Sequence, residues 1–162
     1  MLEPLKQWIC DACGEIIKSP SEGWVEWLSD GEDLNFNSCH RFRIVHDCNS
    51  SPRGYRGCYT LPDTNICDNH LEYFLGEGGY LNLLNFLDPG PYFMKDEDYK
   101  GPSVRNMREF VEFMIRLTIP YYEEARLYFD EAIANEDLAL GDDISAYHPE
   151  NLKRLIEIYG KY

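Results

Sequence analysis

The sequence predicts an α+β protein, in which a small antiparallel β-ribbon with covering helices precedes a helical C-terminal lobe. Three observations favour this fold class. Short runs of strand-forming residues, separated by turn residues, occupy the first part of the chain. Beyond residue 103, apolar residues instead recur at helical spacing. All six cysteines and three of the four histidines lie between residues 8 and 70, so the two parts also differ in chemistry.

Length and composition limit the kind of protein this can be. The chain has 162 residues, of which 44% are hydrophobic, enough to bury a core as one domain or as two small lobes. We expect a division into residues 1–94 and 103–162, with one continuous domain as the alternative. No apolar run reaches membrane-spanning length and no basic-then-apolar leader opens the chain, so we expect a soluble, cytoplasmic protein that does not contact membranes.

Charge and cysteine content indicate the kind of partner and cofactor. The 15 basic and 29 acidic side chains give a net charge of −14. Such an excess opposes attraction to nucleic-acid phosphates and favours a protein partner with a basic face. In a reducing compartment, six cysteines are better explained by metal ligation than by disulfides, although a secreted disulfide protein is the alternative.

The first strands surround a Cys-x-x-Cys-Gly turn. Residues 6–9 and 15–18 flank this turn as the two strands of a hairpin. Residues 24–28 are rich in strand formers, and a turn at residues 29–33 returns the chain into a partner strand over residues 36–46. Alternation along that strand places Phe42, Ile44 and His46 on one face.

The segments that follow are predicted to cover the sheet. Residues 49–57 are predicted to form a loop, and residues 58–61 are predicted to form a short strand. Polar residues 63–65 can cap a helix that runs to about Leu75. We expect the glycines at residues 76–79 to interrupt it before a short apolar helix over residues 80–87. The acidic, Gly-Pro-ending stretch at residues 92–102 is the expected boundary between the lobes.

The C-terminal lobe shows helical periodicity. Ser103 can cap a helix that must end or restart at Pro120, because proline lacks the amide hydrogen a helix interior requires. We expect helical structure again from Tyr121 to about Asn135, and a last helix from Pro149 to a stop at Gly160. The first of these helices is predicted to bury Val104, Met107, Val111, Met114, Ile115 and Thr118, and to expose Arg105, Arg108, Glu109, Glu112 and Arg116.

The Cys-x-x-Cys-Gly turn predicts half of a zinc site. A tight turn brings the sulfurs of Cys10 and Cys13 to one side, where both can bind a single ion. A structural zinc needs four protein ligands, so a second pair must come from elsewhere. One candidate pair is His46 with Cys58, at a strand end and after a returning loop. The other is Cys67 with His70, on the predicted first turn of a helix.

The N-terminal half resembles a set of uncharacterised small bacterial proteins with an N-terminal zinc-ribbon-like segment. The shared motifs are Trp-x-Cys-x-x-Cys-Gly at residues 8–14, Gly-Trp-Val-Glu-Trp at 23–27, Phe-x-Ile-Val-His at 42–46, Gly-Cys-Tyr at 57–59, and Phe-Leu-Gly at 74–76 with Leu84, so the match spans roughly residues 8–87. The resemblance implies that Cys10, Cys13, His46 and Cys58 act together, which favours the first pair. It implies no activity, and Cys39, Cys48 and Cys67 lie outside its pattern.

Other functions fit the sequence less well than a structural zinc. A redox pair at Cys10 and Cys13 would require a following helix, whereas hairpin signals surround this turn. His70-x-Glu72 resembles part of a zinc deaminase motif, but the cysteine pair precedes it and lacks the required proline. No catalytic signature occurs in the sequence, and we expect a structural-zinc protein that acts as an acidic protein-binding module. The alternatives are an unrecognised metal-dependent hydrolase and a nucleic-acid-binding zinc ribbon.

Overall fold

The computed structural model describes residues 1–30, 37–58, 65–88, 90, 101–138 and 144–160. Within these ranges the chain is α+β, with small antiparallel sheets and several helices, as the sequence predicts. The strands are β1 (Trp8–Ile9), β2 (Ile16–Ile17), β3 (Gly23–Ser29), β4 (Cys39–His46) and β5 (Ile66–His70). The helices are α1 (Gly76–Asn85), α2 (Met107–Thr118), α3 (Tyr122–Ala125), α4 (Phe129–Ala134) and α5 (Pro149–Tyr159).

Two separate antiparallel sheets form. Strands β1 and β2 make the predicted hairpin, with Trp8 opposite Ile17. The second sheet has three strands in the order β4-β3-β5, with Gly23 of β3 opposite His46 of β4. A bulge interrupts the pairing of β3 with β4 near Arg41, whose φ of 58° lies in the left-handed region. The confirmed pairing of the two longest strands fixes where His46 stands.

The structure has a strand, β5, where the sequence predicts a helix that runs to about Leu75. Residues Ile66–His70 form a strand that pairs antiparallel with β3, with Trp24 opposite His70 and Trp27 opposite Cys67. A short 3-10 turn, Leu71–Phe74, follows. Pairing with the open edge of β3 satisfies a row of backbone amides and carbonyls, and this tertiary gain outweighs the local helical pattern.

Helix α1 begins within the glycine run instead of after it, so the predicted interruption is also wrong. The helix extends from Gly76 to Asn85 and packs against the preceding 3-10 turn. Gly79 permits this approach, because a Cβ at that position would lie 2.2 Å from the backbone carbon of Phe74. Gly79 is therefore the member of the glycine run that close packing requires.

An aromatic core joins the three-stranded sheet to α1 and α2. Phe42 packs against Phe110 and Phe113, each with ring centroids 5.1 Å away. Trp27 meets Phe86 edge-on at 5.3 Å. The offset and edge-on geometries are those that aromatic rings prefer, so this cluster fixes the orientation of α2 on the sheet.

Helix α2 buries a different face from the predicted one. Phe110, Phe113, Arg116 and Leu117 are buried, whereas Met107 and Val111 are exposed. Its N-cap is Asn106, whose side chain accepts hydrogen bonds from the amides of Arg108 and Glu109, so Ser103 is not the cap. The aromatic side chains bury more apolar area than the aliphatic stripe, which decides the rotation of the helix.

Arg116 connects α2 to α3 and to the Cys-x-x-Cys turn. Its side chain is only 6% exposed, although the sequence predicts a solvated residue. Its guanidinium donates to Glu123 at 2.7 and 2.9 Å and to Asp11 at 2.8 Å. Burial alone would lower the pKa of Arg116, but Glu123 and Asp11 raise it above its ordinary value, so the cation is retained. The helical residues are thereby tied to the Cys-x-x-Cys turn.

The C-terminal helices form a second core. Pro120 ends α2 as predicted, and helical structure resumes in α3, a 3-10 turn and α4. Pro149 lies in the first turn of α5 and Gly160 follows its last residue, as predicted. The buried members of this core are Tyr122, Ala125, Ala132, Leu152, Leu155 and Ile156.

Several predicted features lie outside the described residues. These are most of the turn at 29–33, the strand at 58–61 except Cys58, most of the cap at 63–65 and nearly all of the connection at 92–102. The division into residues 1–94 and 103–162 stays a prediction. In the described part of the chain, no helix combines the length and the apolar character needed to cross a bilayer.

Replacing Arg116 by methionine should lower the free energy of unfolding by about 1–3 kcal/mol, because the buried Glu123 carboxylate and the partly exposed Asp11 carboxylate lose one cation and keep only Arg126. Urea denaturation measures the change. The matched control is Arg108→Met on the exposed side of the same helix, which should change stability by about 0.5 kcal/mol or less. Equal effects of the two substitutions would contradict the role given to Arg116.

Candidate metal centre

The turn between β1 and β2 positions Cys10 and Cys13. The Cys10 amide donates to the Glu15 carbonyl at 3.0 Å, and the Gly14 amide donates to the Cys10 carbonyl at 2.9 Å. Gly14 closes the turn with φ of 80°, a conformation that residues with a Cβ rarely adopt. The two thiols therefore project from one compact turn, as the Cys-x-x-Cys-Gly spacing predicts.

His46 ends β4 beside this turn. Its Nε2 lies 3.3 Å from the carbonyl oxygen of Ile16, and its Nδ1 lies 3.5 Å from the sulfur of Cys13. A proton on Nε2 satisfies the carbonyl and leaves the Nδ1 lone pair directed towards the thiols. Hydrogen bonding of one ring nitrogen commonly fixes the tautomer of a metal-binding histidine in this way.

Cys58 returns to the same place through the loop that follows β4. The Arg56 amide donates to the Cys48 carbonyl at 3.1 Å, which closes the loop. At its base the Ser51 hydroxyl donates to the Cys58 sulfur at 3.2 Å, while the Arg53 amide donates to the Ser51 oxygen at 3.2 Å. Ser51 and Cys58 are both buried, so the tip of the loop is exposed and its base is fixed.

The four side chains converge on one point. One donor atom from each of Cys10, Cys13, His46 and Cys58 lies within 4.8 Å of all the others, and the cluster could bind a metal ion. A tetrahedral zinc site with Zn–S bonds of about 2.3 Å and a Zn–N bond of about 2.0 Å separates its donors by roughly 3.5–3.8 Å. The donors here therefore fit a tetrahedral ion with little movement. Three of the four residues are buried, and Cys13 is partly exposed.

The crowding of thiols favours a cation at this point. Burial raises the pKa of Cys13 to about 12; a hydrogen bond with the backbone of Glu15 opposes this shift, and the neighbouring Cys10 and Cys58 add to it. Several thiolates cannot share so small a volume without a neutralising charge. A bound metal ion supplies that charge and directly coordinates the sulfurs.

Asp11 lies between the two cysteines and holds their turn against β4. Its amide donates to the Ile44 carbonyl, and its carboxylate accepts from the Ile44 amide, both at 2.8 Å. The same carboxylate accepts from Arg116 at 2.8 Å and from Arg126 at 3.4 Å. Because Ile44 is two residues before His46, this docking places the turn beside the histidine. Sequence reasoning missed this residue and Ser51.

The rival ligand pair is not brought to this point. Cys67 and His70 belong to β5, not to the first turn of a helix, so their odd spacing directs them to opposite faces of the sheet. The Cys67 thiol has its pKa raised, mainly by burial and also by Cys39, while the His70 ring packs 4.4 Å from Trp24. Among the described residues, the cluster that could hold a metal includes none of Cys39, His40, Cys48, Cys67 and His70.

Comparisons with known proteins identify no relative of this chain. No protein-family model, no curated protein and no solved structure matches the chain.

Replacing Ser51 by alanine should weaken metal binding about 10- to 100-fold, because loss of the hydroxyl removes the hydrogen bond to the Cys58 sulfur. Competition with a chromophoric chelator measures the affinity. Ser21→Ala is the control, since Ser21 is exposed and its hydroxyl bonds to that of Ser19, outside the cluster. An unchanged affinity in Ser51→Ala would show that Cys58 needs no such support.

Proposed function

We propose that Cys10, Cys13, His46 and Cys58 bind one Zn²⁺ ion and that this ion has a structural role. The observation that carries the proposal is the convergence of four protein donors on one largely buried point. Three thiolates and an imidazole form a ligand set that suits zinc, and four protein ligands leave no coordination position for a substrate. A catalytic zinc would require such an open position.

The proposed ion joins three segments that the backbone alone holds weakly. Strands β1 and β2 have only two residues each, and an isolated two-stranded hairpin is marginally stable even when longer. The ion would join this hairpin to the end of β4 and to the loop that carries Cys58. The zinc therefore substitutes for apolar area that so short a hairpin cannot bury. The resemblance of residues 8–87 to small zinc-ribbon-like bacterial proteins supports the same ligand set.

We further propose that the protein is cytoplasmic and acts there as a binding module for another protein with a basic face. The net charge of −14 supports this role, because it disfavours phosphate backbones and attracts cationic surfaces. An ion pair of Arg43 in β4 also supports it. Arg43 lies 3.2 Å from the fully buried Glu26, so this cation is not available to nucleic acid.

The zinc proposal predicts about one zinc per chain in the purified protein, measured by inductively coupled plasma mass spectrometry. Cys10→Ser and Cys58→Ser should lose the metal and unfold at a lower temperature, because each removes a ligand. Cys48→Ser and Cys67→Ser are the matched controls and should retain it. Full zinc retention in both ligand variants, or a metal-free protein that is equally stable, would refute the proposal.

The binding-module proposal predicts that a lysine-rich peptide without aromatic residues binds the zinc-loaded protein, with an affinity that falls as salt rises. Isothermal titration calorimetry measures the binding. Metal-free Cys58→Ser carries nearly the same net charge, so weaker binding to this variant shows that the folded surface is required. Absence of binding to the zinc-loaded protein, or equal binding to both proteins, would contradict a folded acidic module.

A further inference from the structure

A cavity of about 200 Å³ lies on the three-stranded sheet, away from the metal-binding cluster. It opens between the sheet, the 3-10 turn after β5 and helix α1. Its nine lining residues are Trp27, Cys39, Asn69, Tyr73, Phe74, Asn82, Asn85, Phe86 and Ser103. None of these lining residues, all of which belong to the described part of the chain, is charged. This is notable in a chain of which 27% is charged.

The cavity has aromatic walls of fixed orientation. Trp27 meets Phe74 and Phe86 edge-on, with ring centroids 6.1 and 5.3 Å away. These rings belong to the core cluster, and Tyr73 packs edge-on against Phe74 at 5.5 Å. Such walls favour another flat ring, which can adopt the same edge-on or offset geometries.

Three asparagine amides add hydrogen-bonding groups to these walls. The Asn82 side-chain nitrogen donates to the Tyr73 carbonyl at 2.7 Å, and the Asn69 side-chain oxygen accepts from the His70 amide at 2.8 Å. These two bonds use one amide atom of Asn82 and one of Asn69, and Asn85 is exposed. A ring with one polar edge would therefore be satisfied here.

The surroundings of the cavity are acidic. Residues 65–88, which supply most of its lining, contain neither lysine nor arginine, and the exposed Glu72 and Glu77 lie next to Tyr73 and at the start of α1. On the opposite side, Arg105 is paired with Asp30 at 2.5 Å. A ligand with cations beside its ring would complement this rim.

We propose that the cavity binds one tryptophan or tyrosine side chain from a lysine- or arginine-rich segment of a partner protein. The inference rests on the proposed function as an acidic protein-binding module and identifies how the partner is anchored. A cavity of roughly 150 Å³ accepts a benzene ring in a protein core, so this volume suits a single aromatic side chain. The indole N–H or phenol O–H donates to an asparagine oxygen, and the flanking cations face the acidic rim.

The test compares two peptides by isothermal titration calorimetry with the zinc-loaded protein. Both are lysine-rich, and they differ only in having a central tryptophan or a central alanine. The tryptophan peptide should bind about ten-fold more tightly, as expected for an aromatic anchor. Equal salt-sensitive binding of both peptides would overturn the aromatic anchor and leave the acidic module intact. No binding of either peptide would overturn both.

Two variants locate the binding. Asn85→Trp adds a tryptophan side chain of the protein itself at the cavity and should abolish the advantage of the tryptophan peptide. Asn85→Ala should reduce that advantage. Asn49→Trp and Asn49→Ala, at an exposed position outside the cavity lining, should leave the advantage unchanged. Circular dichroism confirms that each variant is folded. An advantage that survives in a folded Asn85→Trp protein would overturn the proposed location.

Titrations with nucleosides test whether the cavity recognises a small molecule instead of a protein side chain. The asparagine amides could also pair with the edge of a nucleobase, so free adenosine, guanosine, cytidine and uridine are titrated in parallel. A nucleoside lacks the cations that the acidic rim attracts, so we expect no competition between any nucleoside and the tryptophan peptide. A nucleoside that displaces the peptide, with Asn85→Trp blocking its binding, would overturn the assignment to a partner side chain.

Discussion

The docking of the Cys-x-x-Cys turn on β4 through Asp11 is the contact on which the remaining structure depends. Backbone and carboxylate of this residue both bond to Ile44, which sets the turn beside His46. The same carboxylate accepts a hydrogen bond from Arg116, which also donates to Glu123. A single side chain therefore fixes the position of two cysteines and ties the helical part of the chain to the first hairpin. The Asp11 carboxylate is partly exposed and is paired with both Arg116 and Arg126, which makes the contact specific.

The metal-binding cluster extends this contact to a third segment. Cys58 arrives from a loop without regular structure, and its sulfur is held by the hydroxyl of Ser51. If an ion is bound, the four donors join three weakly constrained segments into one unit. This joining is the physical basis of the proposed structural zinc. The ordering of the loop and the ordering of the hairpin would then depend on the same ion.

Strand β4 relates the cluster to the aromatic cavity. His46 ends the strand at the cluster, and Cys39 begins it at the cavity. Between them, Phe42 fills the core, and its amide, next to the bulge, donates to Glu109 of α2 at 2.8 Å. The cluster and the cavity therefore lie at opposite ends of one strand. An uncharged cavity in an acidic chain suits recognition that combines long-range attraction with a single apolar anchor.

The sequence by itself determined the elements whose signals are local. Turn residues and strand formers predicted the first hairpin and the pairing of β3 with β4, and Pro120, Pro149 and Gly160 correctly marked helix boundaries. The Cys-x-x-Cys-Gly spacing, together with the resemblance, also singled out the four residues that the fold brings together. What only the tertiary structure decided was β5, the buried face of α2 and the roles of Asp11 and Arg116. An open strand edge, an aromatic cluster and a buried ion pair all join residues distant in the chain, and their free energies exceed the local preferences that sequence patterns report.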